Sequence, residues 1–63
     1  MDAVVVFQGK DDQFYWHRID GNGEITSHGE AYTREDDAMD GAKNANPDLP
    51  SEAFSIEGNG LNR

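Results

Sequence analysis

The chain has 63 residues, 35% of them hydrophobic, which is room for one small domain with a thin core. It has no cysteine, so disulfides, thiolate metal sites and cysteine nucleophiles are excluded. Thirteen acids against five bases give a net charge of −8, the opposite of the basic footprint that a nucleic-acid or anionic-membrane surface needs.

The acidity has two readings. One is plain solubility, since like charges keep small proteins dispersed. The other is adaptation to concentrated salt: Lys10 and Lys43 are the only lysines, and at molar salt the screening length falls to about 3 Å, which relieves carboxylate repulsion. The run Val4-Val5-Val6-Phe7 is far too short to span a bilayer. No signal-peptide pattern precedes it, and a cytoplasmic location is expected.

Residues 3–8 are β-branched and aromatic and read as a first strand. Gly9-Lys10-Asp11-Asp12 has turn composition. Residues 13–20 read as a second strand, rich in aromatics. Gly21-Asn22 suits a two-residue hairpin turn with positive φ, and residues 23–28 form a third strand antiparallel to the second. Thr33 is placed to cap a helix, with Asp36 three residues on as an acidic capping box. Glu35, Asp36 and Asp37 favour the helix start and Lys43 its end. Ala38, Met39, Ala42 and Ala45 recur at helical spacing as a narrow apolar stripe. Asn46-Pro47 stops the helix. Residues 48–50 read as a linker, and residues 53–57 alternate as a fourth, edge strand. The tail from Gly58 to Arg63 reads as frayed. The fold class is therefore α+β: one domain over residues 1–63, with a β-β-β-α unit over 3–46. Three or four antiparallel strands carry one helix on a face.

The second strand is apolar on both faces. Phe14, Trp16 and Arg18 alternate with Tyr15, His17 and Ile19, just as Val4 and Val6 alternate with Val5 and Phe7. A sheet with one face in water shows cleaner alternation, and a single alanine-lined helix covers only one face. With a Gly21-Asn22 turn, Trp16 faces Ser27 and Arg18 faces Ile25, which places Ile25 under the helix. On the other face His17 pairs with Thr26, Tyr15 with His28, and Ile19 with Glu24. That second face needs a cover. The C-terminal segment offers one, through Phe54, Ile56 or Leu61. A second copy of the chain offers another and is favoured, because the chain is so short of core. Val5, Tyr15, His17, Ile19, Thr26 and His28 are the expected interface residues of a homodimer.

The segment Asp12-Gln13-Phe14-Tyr15-Trp16-His17-Arg18, followed by Gly21-Asn22-Gly23-Glu24-Ile25, resembles the YegP-like family of small uncharacterised proteins. That family carries an Asp-Gly-x-x-x-Trp-Arg strand and then an Asn-Gly-Glu/Lys-Ile turn and strand. Ser27, Gly29, Glu30, Tyr32 and Thr33 fit its third element loosely, and Ala38 and Gly41 fit its helix. The resemblance covers residues 7–46. His17 stands where the family usually has arginine, Asp12 where it has the glycine of the first turn, and Ala42 where a larger aliphatic residue is common. The resemblance implies a β-β-β-α unit, paired in tandem or as dimers of single copies. It implies no catalytic residue.

Other chemistry is weaker. His17, His28 and Glu24 share a face in this register and are candidate zinc or nickel ligands, but no dense ligand motif supports them. Paired histidines at an interface would also repel one another once protonated, near pH 6. The acidic pairs have sufficient explanations in a turn and a helix start. No calcium loop, phosphate loop or nucleophile elbow is present. The expected function is a non-enzymatic, homodimeric interaction or binding module without a cofactor. The alternative is a small ligand or metal bound on the Tyr15/His17/His28 face.

Overall fold

The computed structural model describes residues 1–29 and 31–57. Four strands and one helix follow in the order β1 (Ala3–Gln8), β2 (Phe14–Ile19), β3 (Ile25–His28), α1 (Glu35–Ala45) and β4 (Phe54–Ile56), with one 3₁₀ turn, Ser51–Ala53, before the last strand. The class is α+β, as the patterning implies. The sheet order is β3-β2-β1-β4. No helix among the described residues is long and apolar enough to cross a membrane.

The sheet is mixed rather than wholly antiparallel. β1 pairs antiparallel with β2, and β2 with β3, but β4 pairs parallel with β1. Chain parity explains the correction. After two hairpins β3 runs in the direction of β1, so both free sheet edges belong to strands of one direction. The helix carries the chain back, and a strand that follows it meets either edge in parallel. β4 takes the edge of β1, with Val4 opposite Phe54 and Val6 opposite Ile56.

Both hairpins use the same three-residue loop. Gly9 N–H donates to Gln13 O at 2.8 Å and Asp12 N–H to Gly9 O at 3.1 Å. In the second hairpin Asp20 N–H donates to Glu24 O at 2.9 Å and Gly23 N–H to Asp20 O at 2.9 Å. In each loop the third residue adopts positive φ: Asp12 at 68° and Gly23 at 86°. This is the type I turn closed by a left-handed residue. The expected Gly21-Asn22 turn is therefore one residue longer, and Gly23 supplies the conformational freedom. Asp20 Oδ1 holds the loop by accepting the N–H groups of Asn22 and Glu24 at 2.9 and 3.0 Å.

The longer loop and a bulge between Arg18 and Ile19 shift the register. His17 faces His28, Arg18 faces Ser27, and Ile19 faces Ile25. The expected pairs Trp16–Ser27, Tyr15–His28, His17–Thr26, Arg18–Ile25 and Ile19–Glu24 do not form. Ile25 accordingly lies opposite Ile19 on the face away from the helix and is 56% exposed.

The helix lies against β1 and β2. Val4, Val6, Trp16, Ala38 and Ala42 are fully or nearly fully buried between them, with Phe14, Tyr32, Met39, Leu49 and Phe54 packed around this core. Ala45, the last of the expected stripe, is exposed. Alanines on the helix let it sit close to the sheet, and two glycines make room for aromatic rings. A Cβ at Gly29 would overlap the indole of Trp16, and one at Gly41 would overlap the Tyr32 ring at its hydroxyl end. Tyr32 is tied to the sheet by reciprocal backbone bonds with Phe14 at 2.7 and 2.8 Å.

Thr33 does not cap the helix. Arg34 is the N-cap residue and makes no side-chain cap bond; its guanidinium pairs with Asp36 instead, at 3.2 Å. Asp36 Oδ1 also accepts the N–H of Asp37 at 2.9 Å, satisfying one free donor of the first turn. At the other end Asn46 stops the helix as expected. It is buried, its Nδ2 donates to Ala42 O at 2.8 Å, and its Oδ1 accepts from Arg18 Nη1 at 3.0 Å. Arg18 also reaches Asp2 and Asp48, both at 2.9 Å. One guanidinium thus joins the start of β1, the centre of the sheet and the helix C-terminus.

Candidate functional site

Alternation sends Val4, Val6, Trp16 and Arg18 toward the helix and leaves Ala3, Val5, Phe7, Tyr15, His17 and Ile19 on the opposite face. The register adds Ile25 and His28 from β3 and Ser55 from β4. No residue on this open face is fully buried: Val5, Phe7, Tyr15, His17 and Ile19 are half-buried, and Ala3, Ile25, His28 and Ser55 are exposed. None of these positions holds Asp, Glu, Lys or Arg, on a chain of net charge −8.

Four rings form a continuous line across the face. Phe7 stacks on Tyr15 at 5.8 Å between ring centres, meets His17 edge-on at 4.6 Å, and His17 meets His28 at 6.5 Å. Offset and edge-on contacts of this kind suit the aromatic quadrupole. Tyr15 Oη donates to the carboxylate of Asp11. That bond holds the Asp11 carboxyl below its ordinary range and raises the Tyr15 phenol. Partial burial, with His28 adding to it, lowers the proton affinity of His17.

Of the residues expected at an interface, Val5, Tyr15, His17, Ile19 and His28 share this face. Thr26 sits at the bulge, where its hydroxyl donates to Arg18 O at 3.3 Å. Phe7 and Ile25 belong to the face as well. Phe7 was legible from its parity with Val5. Ile25 was not, because its side depends on the bulge. Glu24 stands in the second hairpin loop opposite Asp20, away from the two histidines. Among the described residues no three His, Cys, Asp or Glu side chains gather in one place.

On the helix side Arg18 pairs with Asp2 and Asp48, and Arg34 with Asp36. Arg18 lowers the pKa of Asp48, and Arg34 that of Asp36. Both shifts run opposite to the raised pKa of a general acid. Compared with protein-family models, curated proteins and solved structures, the chain matches none.

Proposed function

We propose that the chain works as a homodimeric, non-enzymatic interaction module whose open sheet face is covered by a second copy of itself. The observation that carries this reading is the charge map. Two chains of −8 repel over most of their surface, whereas the strand positions of the open face carry no charged side chain and the carboxylate of Asp11 beside them is bonded to Tyr15. A two-fold axis makes one such patch complementary to itself. The small core argues in the same direction, since a second copy supplies the apolar cover that one helix cannot. The likeness to the YegP-like family, whose single-copy members dimerise, supports the same reading.

The size of the face sets what the dimer must use. A standard interface covers about 800 Å² on each partner. A four-stranded face about 15 Å wide and 20 Å long projects only about 300 Å², so the contact has to use all of its side chains. The interface therefore includes Phe7 and Ile25 as well as Val5, Tyr15, His17, Ile19 and His28.

Light-scattering mass after size exclusion, in dilute buffer and in molar potassium chloride, tests the proposal. The expected mass is twice 7.0 kDa, with the dimer strengthened as salt screens the remaining charge. Ile25→Glu places a carboxylate within the apolar contact of each copy and is expected to give a folded monomer. A wild-type monomer in both buffers, with native circular dichroism, overturns the reading. It would then direct attention to residues 58–63, including Leu61, which lie outside the described residues.

A further inference from the structure

The two histidines of the open face occupy a special position in the sheet. Gly29 N–H donates to Trp16 O at 2.9 Å, so Trp16 and Gly29 are a hydrogen-bonded pair. The next pair along, His17 and His28, is then of the other class, in which Cα atoms stand about 4.5 Å apart and side chains are closest. Their rings lie side by side on a face whose strand positions hold no Asp, Glu, Lys or Arg, with centres 6.5 Å apart and planes at 68°. Phe7 holds His17 from the β1 side. His28 is exposed.

We propose that His17 and His28 are one half of a zinc-class cation site, completed by His17 and His28 of a second copy across the two-fold axis. This rests on the open-face dimer described above. A zinc ion about 2.1 Å from one nitrogen of each ring, in tetrahedral geometry, brings ring centres to about 5 Å. A rotation of His28 toward His17 supplies the difference. Two imidazoles fill two of the four positions that zinc prefers. One copy has no obvious third donor: Tyr15 is engaged with Asp11, and no His, Asp or Glu joins the pair among the described residues. A two-fold axis near the pair brings two more imidazoles of the same kind.

The field favours the ion. Four neutral ligands leave the cation its full charge, which offsets part of the repulsion between two chains of −8. The metal thereby strengthens the same contact that creates its site.

The test is zinc titration of protein stripped with EDTA, by calorimetry and by light-scattering mass, on the wild type, His28→Asn and His17→Asn. The expected result is one zinc per two chains and dimerisation at a concentration lower by about tenfold or more. Cobalt(II) is expected to show the strong visible absorption of a tetrahedral site. His28 is exposed, so His28→Asn is expected to keep its circular dichroism while losing zinc uptake and the zinc-dependent gain in dimer. An EDTA-treated dimer that takes up no zinc, or takes it up equally in both variants, overturns the site and leaves the open-face dimer standing. One zinc per monomeric chain overturns the shared site. A monomer that zinc does not assemble overturns both proposals. A monomer that zinc converts to a dimer at one ion per two chains supports the site and makes the metal a condition of assembly.

Discussion

Gly29 shows how much of a 63-residue fold can depend on one missing methyl group. The Trp16 indole, 5% exposed, lies where a Cβ at position 29 would stand. Trp16 is the largest side chain of the core, and a domain of this size draws only about 3–5 kcal/mol from its single core. Gly29→Ala is therefore expected to abolish a cooperative melt in dilute buffer and to shift tryptophan fluorescence to longer wavelength. A variant melting within a few degrees of the wild type would mean that the indole has other room. The glycine is visible in the sequence, but its reason is not, because the ring comes from another strand.

The two hairpins make a controlled pair at the level of the element. They share a loop geometry, yet one has Gly23 at the left-handed position and the other has Asp12. A residue with a Cβ pays about 1–2 kcal/mol there, which aspartate partly recovers through local bonding. Asp12→Gly is expected to raise the melting temperature, a stabilisation of about 0.5–1 kcal/mol. Asp12→Asn, which removes only the charge, is expected to raise it less. Gly23→Ala is expected to cost about 1–2 kcal/mol, and Gly21→Ala much less, because Gly21 has no positive φ. Equal costs at 21 and 23 would restore the two-residue turn. Denaturant midpoints of the four variants decide this. The positions of β1, β2, α1 and the helix stop at Asn46 were legible from β-branching, alternation and Asn-Pro. The loop length was not, since Gly21, Asn22 and Gly23 all tolerate turn geometry and only the bonds of Asp20 select among them.

For the molecule as a whole, acidity and the histidine pair act in separate pH windows. The proton affinity of His17 in the folded chain lies below its ordinary 6.5, first through burial and then through His28. The groups facing it are Phe7 and Val5 on β1, His28 on β3, and Tyr15 and Ile19 on its own strand; the carboxylate of Asp11 is tied to Tyr15. A lowered histidine pKa means that the unfolded chain binds the proton more readily. Stability is then full above about pH 6.5 and falls as pH drops through the lowered value. Asp11, Asp36 and Asp48 are also lowered, from 3.8, so their contributions persist to more acid pH. Melting temperature is expected to fall between pH 7 and 5, and His17→Gln is expected to remove that step. A step that survives the substitution would place its origin elsewhere.

Composition, alternation and punctuation determined by themselves that the fold is α+β, that its sheet is apolar on both faces, and that Val5, Tyr15, His17 and Ile19 share the uncovered one. These are local properties: side chains alternate along any strand whatever lies beside it. The parallel pairing of β4, the meeting of His17 with His28, the outward turn of Ile25 and the junction built on Arg18 were decided only by tertiary structure. Each depends on how two distant segments register against one another. A single added loop residue or bulge changes that register without changing any local propensity.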